Sequence, residues 1–127
     1  MYLGLQGMPD PRLEKAFENW TVQVRKGVLE LCVLNAIEGG EQYGYDLVKS
    51  LTDLPGLSVT EGTLYPLLSR LRLQGLVRTR VETSNVSVPR KYYALTSEGR
   101  RVVRMMNQHL ENLFRSCQLV REGARHE

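Results

Sequence analysis

The segment SVTEGTLYPLLSRLRLQGLVRTRVETSNVSVPRKYYAL, residues 58–95, constrains this chain more than any other stretch. Leu64, Leu67, Leu68 and Leu71 recur at helical spacing behind Thr60, a good N-cap, with Glu61 favourable in the first turn. Gly75 stops that helix. From Leu76 to Glu82 the pattern switches to alternation, with Val77, Thr79 and Val81 on one face and Arg78 and Arg80 on the other, which predicts a half-buried strand. Thr83–Val88 reads as the connecting loop, and Arg90–Leu95 returns as the second strand. A helix with one apolar face, a glycine stop, a hairpin and a basic tip make the layout of a winged helix-turn-helix.

The rest of the chain supplies helices. Residues 1–9 read as loose. Asp10 is placed as an N-cap with Pro11 at the first helical position, and Leu13, Ala16, Phe17, Trp20 and Val24 then share one face. Gly27 is the expected interruption, followed by a more deeply buried helix carrying Val28, Leu31, Cys32, Val33, Leu34 and Ile37 and ended by Gly39 and Gly40. Leu47, Val48 and Leu51 mark a further helix closed by the Leu54-Pro55-Gly56 turn. Thr96 is placed as the cap of a long helix from Ser97 to about Arg121. On it, Val103, Met106, Leu110, Leu113, Cys117 and Val120 follow a heptad seam, which can pack on the body of the same chain or on a second copy. The expected fold is therefore mainly α with a small two-stranded β wing. Its parts are an N-terminal helical extension (1–24), the winged helix-turn-helix (25–95) and a C-terminal dimerisation helix (96–127).

Composition limits the function classes. With 42% apolar residues among 127 the chain can bury a real core. The net charge of +3 says little, but its distribution says more. Between Ser58 and Lys91 six cations (Arg70, Arg72, Arg78, Arg80, Arg90 and Lys91) face two anions, Glu61 and Glu82, whereas the remainder is slightly acidic. That concentration suits a polyanion and equally describes a solvated basic face. No run approaches the ~18 apolar residues of a membrane span, and MYLGLQGMPDP lacks the basic start and apolar core of a secretory signal. Cys32 and Cys117 have no metal-ligand spacing, so no metal or other cofactor is expected, and reduced thiols in a cytoplasmic protein are. His109, His126, Cys32 and Cys117 do not assemble into a nucleophile, base and orienting group, so an enzyme is not expected.

A helix that enters a major groove must bury one stripe and present small or polar side chains on the other, because bulky residues hold its backbone off the bases. The outer positions Thr60, Glu61, Gly62, Thr63, Tyr65, Pro66, Ser69, Arg70 and Arg72 meet that demand. Thr60 and Thr63, with the backbone N–H groups of the helix N-terminus, can meet phosphates. Arg70 and Arg72 lie further along, where the DNA backbone is the nearer target. Pro66 costs one helical hydrogen bond and is tolerable near the helix start.

Four pieces of sequence carry a resemblance: Tyr43-Gly44-Tyr45, the EGTLYP run from Glu61 to Pro66, the exit RLRLQGLV, and PRKYYALT leading into the last helix. In this order and spacing, over about residues 26–102, the chain resembles the PadR family of bacterial transcription regulators. The resemblance implies a homodimeric winged-helix repressor that reads double-stranded DNA at a pseudo-palindromic operator. It places Thr60, Thr63, Tyr65, Ser69 and Arg70 on the DNA face and Arg90 and Lys91 at the wing, and the outer positions of the helix add Gly62 and Arg72 as candidates. Val103, Met106, Leu110, Leu113 and Cys117 would form the dimer seam, with Trp20 and Phe17 covered by the partner's C-terminal helix. The single C-terminal helix resembles the family's small subgroup. The wing tip, Ser84 to Pro89, lacks the glycines and extra arginines of many members, so backbone contact by Arg90 and Lys91 is expected rather than deep minor-groove insertion.

Several residues keep two readings. Tyr65 either donates to a phosphate or packs on the Tyr43–Tyr45 segment. Tyr92 and Tyr93 are expected to cover the helices. Trp20, Met105, Met106 and Phe114 border a candidate pocket for a small aromatic effector, as relatives that sense such compounds imply, or simply pack an interface. The competing function is a winged-helix protein-interaction module that does not bind DNA.

Overall fold

A computed structural model describes residues 10–83 and 88–126. The expectation for the wing tip between Ser84 and Ser87 lies outside these residues. Among the described residues there are four helices, α1 (Pro11–Glu38), α2 (Gly44–Thr52), α3 (Glu61–Leu73) and α4 (Ser97–His126), and three strands, β1 (Gln42–Tyr43), β2 (Val77–Glu82) and β3 (Arg90–Leu95). The chain divides into two compact units, one ending at Glu30 and one beginning at Leu31.

The first unit is the N-terminal part of α1. Asp10 caps it as the sequence predicts: its Oδ1 accepts the Arg12 backbone N–H at 2.9 Å, and the Arg12 guanidinium lies 3.0 Å from Oδ2. That guanidinium holds the Asp10 carboxyl below the usual carboxylate range. The rings of Phe17 and Trp20 lie 6.2 Å apart, and Leu13, Trp20 and Val24 are exposed. The expected break at Gly27 does not occur, and α1 runs from Pro11 to Glu38. One glycine costs a helix only about 1 kcal/mol relative to alanine, too little to end one flanked by good helix formers.

The second unit holds the core. Leu31, Val33, Leu34 and Ile37 of α1 are buried with Leu47, Val48 and Leu51 of α2 and Leu64, Leu67, Leu68 and Leu71 of α3. The sheet supplies Val77, Tyr93, Ala94 and Leu95, and α4 supplies Val103. The apolar stripes read at helical spacing on α2, α3 and the end of α1 are thus inward faces. The sheet has three strands rather than the expected two. β1 pairs antiparallel with β3, Gln42 opposite Tyr93 and Tyr43 opposite Tyr92, and the order is β1-β3-β2. β2 pairs with β3 from Val77↔Leu95 to Glu82↔Arg90. The predicted alternation of β2 holds as far as Thr79 but not at Val81, which is exposed.

Junctions between elements rest on two close approaches. Gly75, at φ 79°, ends α3 in the left-handed conformation, and Leu76 N–H then bonds back to the Leu71 carbonyl at 3.0 Å. The Leu76 carbonyl accepts Thr96 N–H at 3.1 Å, while the Thr96 hydroxyl donates to the Gly75 carbonyl at 2.6 Å and accepts Gly99 N–H at 2.9 Å. Thr96 therefore caps α4 as expected and ties its start to the exit of α3. This seats Gly99 against the Leu76 carbonyl, where a Cβ would collide with the oxygen. At Gly44 a Cβ would lie 2.8 Å from Cε1 of Tyr93. Further along, Asn35 and Asn107 exchange side-chain hydrogen bonds of 3.0 and 2.8 Å between α1 and α4.

Gly99→Ala must push backbone against backbone. We expect a loss of about 2 kcal/mol or more, a fall in Tm of roughly 5–10 °C in thermal unfolding. Gly123→Ala, also in α4 but with open space around its Cα, should hold or raise Tm.

Candidate nucleic-acid interface

The buried stripe of α3 leaves Thr60, Glu61, Gly62, Thr63, Tyr65, Pro66, Ser69, Arg70 and Arg72 exposed. All the predicted groove-facing positions thus share the outer surface of one helix. Thr60 occupies the N-cap in extended conformation, and its carbonyl accepts Thr63 and Leu64 N–H at 3.1 Å each. Its side chain makes no capping hydrogen bond. The hydroxyl is therefore not committed to the helix it begins.

Gly62 meets no packing demand. A Cβ there would find only Thr60 Oγ1, at 3.8 Å, an ordinary contact. Nor is its φ positive. Inside the chain alanine would fit and would favour the helix. Pro66, four residues on, has no N–H to give to the Gly62 carbonyl. The first turns of α3 thus present a thin, polar backbone edge.

Tyr65 stands between its two readings. It remains 39% exposed. Burial of the rest of the ring raises its pKa, assisted by Glu61 and by the phenols of Tyr43 and Tyr45. The phenol therefore stays protonated and able to donate. Tyr93 is buried under the sheet, and that burial raises its pKa as well.

The sheet presents a second charged surface. Arg90 and Lys91 are exposed at the start of β3, with Arg90 5.4 Å from the Tyr43 ring centroid. Sequence reasoning missed a row of contacts beside them. Arg80 lies 4.6 Å over the Tyr92 ring, Tyr92 is 5.6 Å from Tyr43, and Tyr43 is 6.1 Å from Tyr45. Arg80 also donates through Nε and Nη2 to the two carboxylate oxygens of Glu41, at 3.1 and 2.7 Å, and through Nη1 to Glu82 at 3.4 Å. Arg80, a cation of the basic segment, is therefore engaged by carboxylates. The alternation of β2 placed Arg80 on the outer face, but its partner Glu41 precedes β1, a strand too short to be read.

The predicted seam on α4 divides. Val103 is fully buried within its own chain and Met106 is half-buried. Leu110, Leu113, Cys117 and Val120 are exposed. Met105 and Phe114, expected near an effector, are also exposed. Met105 lines a shallow depression on α4 with Arg104, Gln108, His109 and Asn112, and neither Met106 nor Phe114 borders it. Trp20, in the first unit, is 59% exposed. Among the described residues no group of His, Cys, Asp and Glu is placed to hold a metal, and no helix is long and apolar enough to cross a membrane.

Comparison with known proteins is decisive at this point. Residues 33–105 match the model of the transcriptional regulator PadR-like family. The chain belongs to the PadR-like family of transcriptional regulators. A PadR family transcriptional regulator from Eggerthella lenta is 34% identical, with 87% of this chain and 96% of that one covered and a TM-score of 0.76. A Streptococcus transcriptional regulator is 35% identical over 78% of this chain and 97% of its own, with a TM-score of 0.68. A PadR-like transcriptional regulator from Bacillus cereus is 33% identical over 77% and 95%, with a TM-score of 0.68. No curated protein matches. The PadR match spans α2, the exposed face of α3, both long strands and the start of α4.

Because the Thr60 side chain makes no cap bond, Thr60→Ala should cost less than the ~1 kcal/mol usual at an N-cap. Chemical denaturation should place the loss below about 0.5 kcal/mol.

Proposed function

We propose that this PadR-like regulator binds DNA sequence-specifically as a homodimeric repressor, with α3 in the major groove of each half of a pseudo-palindromic operator. Gly62 carries the reading: an exposed helical glycine that nothing inside the fold requires, at the start of a face of small and polar side chains. A groove wall approaching the backbone gives such a glycine its use. Thr60, Thr63, Ser69 and Tyr65 supply hydrogen-bonding groups, and Arg70, Arg72, Arg90 and Lys91 supply exposed positive charge. Affinity rests chiefly on phosphate contacts and falls steeply with salt. Specificity rests on a few base contacts per half-site, doubled by two-fold symmetry, with recognition helices about 34 Å apart.

The second copy pairs along α4. Leu110, Leu113, Phe114 and Val120 are exposed there at spacings that bring the first two and Val120 onto one seam. Val103 serves the chain's own core, so the seam open to a partner begins near Met106. Met105 and Phe114 would border a site for a small aromatic effector formed by that pairing. Leu113→Glu should convert dimer to monomer in sedimentation equilibrium while leaving helical content unchanged. A variant that remains dimeric would remove α4 from the interface.

The DNA reading is tested by fluorescence anisotropy with duplex from the protein's own upstream region and a scrambled control, at two salt concentrations. Tighter, salt-sensitive binding to the upstream duplex supports a specific and self-regulating repressor. Equal weak binding to both leaves a DNA binder whose operator lies elsewhere. No binding at low salt favours a winged-helix module that contacts proteins instead. In the same assay Gly62→Ala should hold or raise Tm yet weaken specific binding tenfold or more, roughly 1.4 kcal/mol. Unchanged affinity would take Gly62 out of the interface.

A further inference from the structure

The contacts around Arg80 join two parts of the fold. Arg80 on β2 faces Tyr92 on β3, which faces Tyr43 on β1, so the three residues form one row across the sheet. The guanidinium lies over Tyr92 and reaches past β3 to the residue preceding β1, gripping both carboxylate oxygens of Glu41. A planar fork meeting a carboxylate with two hydrogen bonds fixes orientation as well as distance. Glu82 adds a third contact at 3.4 Å. Two carboxylates thus face one guanidinium, and a phosphate approaching Arg80 meets a locally negative group.

The clamp joins parts of the fold that are otherwise weakly tied. β1 has only two residues and two partners on β3. It leads without a loop into α2, the helix before the recognition helix. Across β3 lies β2, one arm of the wing. We propose that the Glu41–Arg80 pair is a positioning clamp that sets the wing against the helix-turn-helix, so that Arg80 acts on DNA recognition through the sheet and not by touching phosphate. This rests on the DNA-binding reading above for its consequence, though not for its geometry.

The clamp and a phosphate contact predict opposite signs at Glu41. If Arg80 touched DNA, Glu41→Gln would remove an anion beside a polyanion and leave binding equal or tighter. Arg80→Gln would then lower the slope of log affinity against log salt by about 0.9. If the pair is a clamp, Glu41→Gln weakens binding to the duplex that the wild-type protein selects from a randomised pool, by about threefold. Arg80→Gln does the same, and the double variant loses no more than either single one. The salt slope keeps its wild-type value, and binding to a scrambled duplex changes little. Equal or tighter binding by Glu41→Gln, or a slope reduced in Arg80→Gln, overturns the proposal. A second readout needs no DNA: amide hydrogen exchange across β1 and β3 should quicken in both single variants, and unchanged exchange also overturns the clamp. A wild-type protein that selects no duplex would sink the DNA reading, while the exchange measurement would still decide the clamp.

Discussion

The four leucines on the inner face of α3 are the constraint on which the rest depends. Leu64, Leu67, Leu68 and Leu71 are all buried, and burying each stabilises by about 1.5–3 kcal/mol. No rotation of the helix could expose a different face without losing most of that. The outer face is thus fixed by the inner one. Thr60, Gly62, Thr63 and Ser69 point away from the core because the leucines cannot. The exit is held as firmly, since Gly75 turns the chain and the Leu76 carbonyl meets both the Thr96 N–H and Gly99. The helix α3, the strand β2 and the long helix α4 therefore leave one small junction in set directions.

The sheet solves a different problem. A helix surface with little bulk gives few contacts of its own, and a wing is useful only at a set angle to it. The row Arg80, Tyr92, Tyr43 spans the three strands on the outer face, while Val77, Tyr93 and Leu95 hold the inner face to the core. Charge in this region is consequently of two kinds. Arg80 is held by Glu41 and Glu82, whereas Arg90, at the start of β3, lies over the Tyr43 ring. Counting cations along the sequence treats them alike.

Legibility followed the strength of the local signal. α2, α3 and α4 were readable because their apolar residues recur at a helical period and glycines or a threonine mark their ends. The family was readable for the same reason, since EGTLYP and PRKYY carry side chains whose spacing is set by one helix and one strand. Gly27 does not end the helix because one glycine costs only about 1 kcal/mol, less than its helix-forming neighbours supply. β1 escaped notice because two residues have no period. Its membership of the sheet follows from the pairing with Tyr92 and Tyr93, fifty residues away in the chain. Val103 looked like the first residue of an outward seam, yet it lies at the base of α4 where the body covers it.

By itself the sequence determined α2, α3, α4 and the two long strands, the inward face of each helix in the core, the small outer surface of α3 and the family. These depend on periodicity, caps and turn chemistry, which act over a few residues. Only the tertiary structure decided the third strand, the division of the α4 seam and the pairing of Arg80 with Glu41. Those are meetings of residues distant in sequence, and a side chain's partners depend on which strand lies beside it, which no local pattern encodes.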